Sequence, residues 1–213
     1  MKGNWFSIAL RFIEASNEEI SINVQNVKEN GFINYFGLQR FGTYTIKTHE
    51  IGRYVLREDW KEVCKMIIWS ASSPDDQERK ERIVKYVFED DDIMKGKELL
   101  SFRDRIEDTI LDSLLENTNG FWNAFEKLSW NTWIIYVHAY QSYVWNRVVS
   151  EWIKRYGTKV LVGDLIIKAE KWVVEHWKKK EDIEVEDVDF VTEENLHNYS
   201  ITDIVFPLIG KSI

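Results

Sequence analysis

The sequence predicts an α+β protein, with a strand–helix–strand piece preceding a mainly helical body that carries a few short strands. Three observations point to this class. Apolar residues alternate near the amino terminus, a capping box opens a helix soon after, and from about His49 apolar residues recur at helical spacing. The change of texture divides the chain into residues 1–52 and 53–213.

Phe6, Ile8, Leu10 and Phe12 alternate with Ser7, Ala9 and Arg11, which predicts a strand with one apolar face. Ser16 followed by Glu19 reads as a capping box. Ile20, Val24 and Val27 then stand at i, i+4 and i+7, and Gly31 stops that helix. Phe32–Phe36 predicts a second strand. A strand–helix–strand of this size is half of a split α/β sandwich and cannot close a sheet alone. Trp60, Val63, Ile67 and Ile68 mark a helix, and Ile83, Val84, Val87 and Phe88 mark another after the loop Ser70–Pro74. Leu99, Phe102, Ile106, Ile110, Leu114 and Leu115 give the clearest amphipathic spacing. The longest helix is predicted from Thr132 to Tyr156, closed by Gly157. Beyond Gly163, Leu165–Ile167 and Phe190–Val191 read as short strands, with a Lys- and Glu-rich insertion loop or short helix between them.

Ten tryptophans, two prolines and 44% apolar residues in 213 describe an ordered chain with a substantial core. Trp122, Trp130, Trp133, Trp145 and Trp152 sit among apolar helical positions and are expected in the core or between helices. The single cysteine, Cys64, lies in an amphipathic run and is expected as a buried thiol, so no disulfide forms within the chain. There is no charged-then-apolar leader and no run of 18 apolar residues, so neither secretion nor membrane crossing is expected.

The net charge is −8. Residues 1–52 are balanced, with Lys2, Arg11, Lys28, Arg40 and Lys47 against Glu14, Glu18, Glu19, Glu29 and Glu50. The deficit lies beyond them, much of it in Glu89-Asp90-Asp91-Asp92 and between Glu181 and Glu194. Such runs are solvated surface, and they would turn a phosphate backbone away. The histidines His49, His138, His176 and His197 have no mutual spacing suited to a metal and are expected on the surface or as satisfied interior groups. Asp164 is expected in a turn, and Ser200–Asp203 as a helix start.

Residues 31–42, Gly-Phe-Ile-Asn-Tyr-Phe-Gly-Leu-Gln-Arg-Phe-Gly, are written unlike a core element. Glycine admits close backbone approach and positive φ. Aromatic rings beside amide and guanidinium groups can stack on a base while hydrogen-bonding its edge. The residues alone leave two readings open: a site for a planar ligand or RNA, or a structural turn with buried aromatics.

Asn34–Gly42 resembles the N-Y-F/Y-G-x-Q-R-F-G signature of the TruD/Pus7 family of tRNA pseudouridine synthases. Gly3–Arg11 resembles that family's G-N-x-F-x-I-x-L-R strand, and Ala139–Arg147 the Y-Q-S-Y-x-W/F-N helix of its eukaryotic, Pus7-like branch. Gly163-Asp164-Leu165 with Asn198–Gly210 resembles its G-D-L … Y-x-I-x-D-V-V-x-P-L-P-G segment, Ile209 replacing the usual proline. Residues 70–130 and 170–187 carry no such match.

The resemblance implies an isomerase that converts uridine to pseudouridine in tRNA, and in other RNA by extension, without cofactor or metal. It implies that 1–52 is part of the catalytic core and 53–213 a TruD-type inserted domain, incomplete at its C-terminal end. Asn34 matches the asparagine that contacts the catalytic aspartate, and Phe36 the aromatic that stacks on the target uracil. Gln39, Arg40 and Phe41 complete the loop, Arg40 as a phosphate contact. Tyr140, Gln141, Ser142 and Asn146 are expected either to touch RNA or to hydrogen-bond between helices. The catalytic aspartate belongs to a G-x-K-D-x-x-A-V-T segment upstream of the G-N-x-F strand, and no residue of this sequence matches it. An interior fragment, inactive by itself, is therefore expected, from a protein of the nucleus, the cytoplasm or both. The alternative is a non-catalytic RNA-binding or protein-interaction domain derived from that family.

Overall fold

The computed structural model describes residues 7–167 and 188–210. The start of the first matched block (Gly3–Phe6), the Lys- and Glu-rich segment 168–187 and His176 within it lie outside the described residues. The chain forms two compact units, one from residues 1–35 and 158–205, the other from 36–157 and 206–213.

In the first unit, α1 spans Asn17–Asn30. Its box is as predicted: the Ser16 N–H donates to Glu19 Oε2 (2.8 Å) and the Glu19 N–H donates to Ser16 Oγ (3.2 Å). Gly31, at φ 70°, ends the helix and donates its N–H to the Val27 carbonyl. No α1 residue is buried. The two strands predicted on either side of α1 are not formed among the described residues. Residues 7–16 and 31–37 pair with no sheet, and Ile8 and Leu10 are exposed. Alternation specifies which face of a strand is apolar but supplies no partner, and a strand exists only with its ladder. Further along, β1 (Leu165–Ile167) pairs antiparallel with β2 (Val188–Phe190), Ile166 opposite Asp189. Val205 adds an N–H bond to the Leu165 carbonyl. Asp164 makes the expected turn, its carboxylate accepting from the Leu161 N–H at 2.7 Å. The Ser200–Asp203 start yields a single 3₁₀ turn over Ile201–Asp203.

The second unit is helical: α2 Leu38–Phe41, α3 Thr48–Val55, α4 Trp60–Trp69, α5 Pro74–Phe88, α6 Ile93–Glu98, α7 Arg105–Glu116, α8 Phe121–Glu126 and α9 Trp130–Tyr156. Ser73, Asp92 and Ser129 accept from N–H groups of the first turns of α5, α6 and α9, and Gly157 closes α9 at φ 67°. The core gathers Val63, Ile68, Ile83, Ile110, Leu114 and Phe125, all nearly inaccessible to solvent. Cys64 lies among them as expected, and burial pushes its thiol up to about 12.

The helix predicted from Leu99 is interrupted. Leu99 caps α6, Phe102 is exposed, and α7 begins at Arg105. A turn at Ser101–Asp104 breaks the spacing, because Asp104 accepts from the Ser101 N–H (2.6 Å) and hydroxyl (2.7 Å). The same carboxylate accepts from Arg79 Nη1 (2.7 Å) and from Lys80 Nζ (2.8 Å), and Lys80 is 1% exposed. Lys80 also reaches Glu107, so α5, the turn and α7 share one buried ion cluster. The acidic residues Glu89, Asp90 and Asp91 are solvated, as expected, while Asp92 caps α6. Among the described residues no helix is long and apolar enough to cross a membrane.

Candidate functional site

Within the second unit, the signature loop is set by two glycines and one helix. Gly37 is the N-cap of α2, accepting from the Arg40 and Phe41 N–H groups (2.9 and 3.2 Å). Gly42, at φ 76°, ends that single turn by donating to the Leu38 carbonyl (2.7 Å). The loop is tied down on both sides. Thr48 Oγ1 donates to the Phe41 carbonyl at 3.0 Å. Asn146, midway along α9, accepts from the Phe36 N–H with Oδ1 (3.1 Å) and donates to the Phe36 carbonyl with Nδ2 (2.9 Å).

The Phe36 ring is half-buried and meets Trp145 edge-on, centroids 5.5 Å apart at 82°. The Arg40 guanidinium lies over the Phe36 ring, 5.6 Å from its centroid, and makes no ion pair among the described residues. Phe41 meets the edge of His49 (5.0 Å), which stacks on Tyr143 of α9 (4.3 Å, 14°). Asn34 and Gln39 are exposed.

The segment 206–209 also lies on α9. Gln141 Nε2 donates to the Ile209 carbonyl (2.7 Å), Trp145 Nε1 donates to the Phe206 carbonyl (2.7 Å), and Trp152 meets the Phe206 ring edge-on. Parts of three of the four sequence blocks, around Phe36, along α9 and over 206–209, thus meet on one helix. Phe36, Arg40, Phe41 and Asn146 are brought together. Asn34 belongs to the other compact unit. Ser142 is buried at 2% exposure, and Tyr140 lies beside Tyr143 (6.3 Å), within the packing of α9.

Sequence reasoning missed two participants. Trp145 packs as expected, but its partner, the Phe36 ring, was not foreseen. His49 was expected on the surface or satisfied, yet its Nδ1 is buried with no hydrogen-bond partner among the described residues. Burial, aided by Lys47 and opposed by Glu50, holds its imidazole below its ordinary value. The available signal was spacing: Ser142, Tyr143 and Asn146 stand four and three apart on one helical face, whereas Gln141 and Asn146 do not. Trp130 is largely exposed and Trp122 partly so, against Trp60, while Trp133 packs against the core.

The chain matches the family of tRNA pseudouridine synthase D (TruD) over residues 1–213, and it belongs to that family. It is 34% identical to multisubstrate pseudouridine synthase 7 of Schizosaccharomyces pombe over 227 residues, covering 100% of this chain and 33% of that protein. It is 32% identical to human pseudouridylate synthase 7 homolog over 217 residues, covering 100% of this chain and 30% of that one. The chain therefore spans about a third of the length of the curated relatives it matches. A crystal structure assigned to tRNA pseudouridine synthase D of Methanosarcina mazei shares the fold, with TM-score 0.70 at 22% identity over 89% of this chain and 43% of that one.

Proposed function

We propose that this chain supplies the base-stacking wall of a uridine-to-pseudouridine isomerase acting on tRNA, residues 1–52 lying in its catalytic core and 53–213 in its inserted domain. The reaction breaks the C1′–N1 bond, turns the detached uracil, forms C1′–C5 and passes the C5 proton to solvent while N1 gains one. A detached base must be held while it turns, after leaving its stack at a cost of a few kcal/mol. Phe36 is the surface for that base, Arg40 a phosphate contact, and Asn34 the partner of the catalytic aspartate. Gln39 and Phe41 shape the rest of the loop. Nucleus, cytoplasm or both are the compartments consistent with this role.

The observation that carries the proposal is the fixed presentation of Phe36, a half-buried ring whose backbone is pinned on both sides by one amide. The test is a fluorescence titration with a single-stranded RNA holding one uridine, against the same strand abasic at that position. Base stacking on an aromatic is worth about 1–3 kcal/mol, so about tenfold preference for the uridine strand is expected. Phe36→Ala should remove the preference and leave affinity for the abasic strand unchanged. Equal affinity of the wild-type chain for both strands overturns the proposal. No tritium release from 5-labelled tRNA is expected from this polypeptide alone; measurable turnover would place a working carboxylate within it.

A further inference from the structure

We infer that Asn146 is a positioning residue for base recognition, acting through the backbone of Phe36 rather than by touching RNA. The inference rests on the reading of Phe36 as the ring beneath the base. A side-chain carboxamide sets an accepting oxygen and a donating nitrogen a short distance apart, the pattern a neighbouring strand would present. Asn146 spends both on a residue 110 positions away, and Phe36 has no other backbone hydrogen-bond partner among the described residues. The two bonds together assign which end of the amide is oxygen. The preceding residue, Trp145, sets its ring against the Phe36 ring and is itself fixed by its bond to the Phe206 carbonyl. Successive residues of α9 thus hold Phe36 by backbone and by ring.

No other side chain reproduces this contact. An ionised aspartate accepts the Phe36 N–H but opposes the carbonyl with a second acceptor. Glutamine is one methylene too long for the same pair, and alanine leaves both groups to water. With the clamp gone, Phe36 regains backbone freedom, and ordering it must then be met from stacking energy.

The experiment uses the whole chain and the same two RNA strands, with amide hydrogen exchange as an independent readout. In Asn146→Ala the uridine preference should fall from about tenfold to below about twofold, since the stack is worth only about 1–3 kcal/mol. Affinity for the abasic strand and its salt dependence should stay as in the wild type. The Phe36 amide should exchange at least tenfold faster while amides of α4 and α7 keep their rates. The double variant Phe36→Ala/Asn146→Ala should be no worse than Phe36→Ala, because both changes remove one function. Wild-type preference that survives Asn146→Ala, or losses that add in the double variant, overturns the inference alone. Absence of preference in the wild-type chain overturns the function proposed above, and this inference with it. General loosening of the core amides would show instead that Asn146 serves the fold.

Discussion

Gly52 lies so close to Tyr136 that a Cβ built on it would stand 2.0 Å from the Tyr136 carbonyl oxygen and 2.8 Å from its carbon. This approach is what lets α3 pack along α9, and α3 in turn carries His49 beneath the signature loop. Both opposing atoms are backbone, so neither helix can yield locally. Alanine is the better helix former by about 1 kcal/mol. Overpacking costs about 1–3 kcal/mol and more where backbone must move. Gly52→Ala is therefore expected to lower stability by about 2 kcal/mol, seen as a lower urea midpoint at unchanged m. A variant as stable as the parent would show that α3 and α9 have room to separate.

Below about pH 4, acid should attack the ion cluster at α5 and α7. Burial opposes ionisation of Asp104, but hydrogen bonds from Arg79, Lys80 and Ser101 outweigh it and hold the carboxyl far below the usual carboxylate range. Its folded value lies below its unfolded one, about 3.9. The stability it confers is thus complete above about pH 4 and is lost as the pH falls below that. Asp104→Asn leaves Lys80 buried beside Glu107 alone, and is expected to cost about 3–5 kcal/mol at pH 7. Urea titrations between pH 5 and pH 2.5 (about one to two units either side of the unfolded value) should show a steep loss in the parent and a flatter one in the variant. Equal slopes would remove Asp104 from the acid transition.

His49 sets a second, higher window. Desolvation between Phe41 and Tyr143 depresses its imidazole, so the unfolded chain takes up a proton that the folded chain refuses. Stability contributed by the neutral ring is whole above about pH 6.5 and drains as the pH drops through that value. His49→Phe keeps a flat ring for Tyr143 and has nothing to titrate. Denaturation midpoints at pH 7.5 and 5.5 should differ less in that variant than in the parent, because the proton that His49 takes up on unfolding is removed from the linkage. An unchanged difference would assign the effect to another group.

The same residues explain what could be read from the sequence. Ser16 with Glu19, Gly31 and Gly157 state their roles locally, through hydrogen bonds that close within one helical turn, and each helix end stands where they put it. Cys64 was legible because its apolar neighbours share one face. The strands around α1 were not, because alternation at Ile8 and Leu10 says nothing about what they pair with. Leu99 and Phe102 fit a helix by period, but the Ser101–Asp104 turn breaks it, and the distant partners Arg79 and Lys80 hold Asp104 there. The loop's chemistry was legible as a motif. The clamp from Asn146 was not, since no local spacing connects residue 36 to residue 146.

Arg40 offers the last test, because one side chain carries two separable effects. Its guanidinium rests on the Phe36 ring, with no carboxylate paired to it among the described residues, so a phosphate meets no competing acid there. Each phosphate contact made on a single strand adds about 0.7 to the slope of log affinity against log salt. Arg40→Ala should therefore weaken RNA binding at low salt and reduce that slope by about 0.7, while the difference between variant and parent shrinks at high salt. The substitution also uncovers one face of Phe36, so preference for uridine over the abasic strand should persist. A slope identical to the parent's removes Arg40 from the phosphate contacts. Loss of uridine preference at unchanged slope would instead make the guanidinium part of the stack.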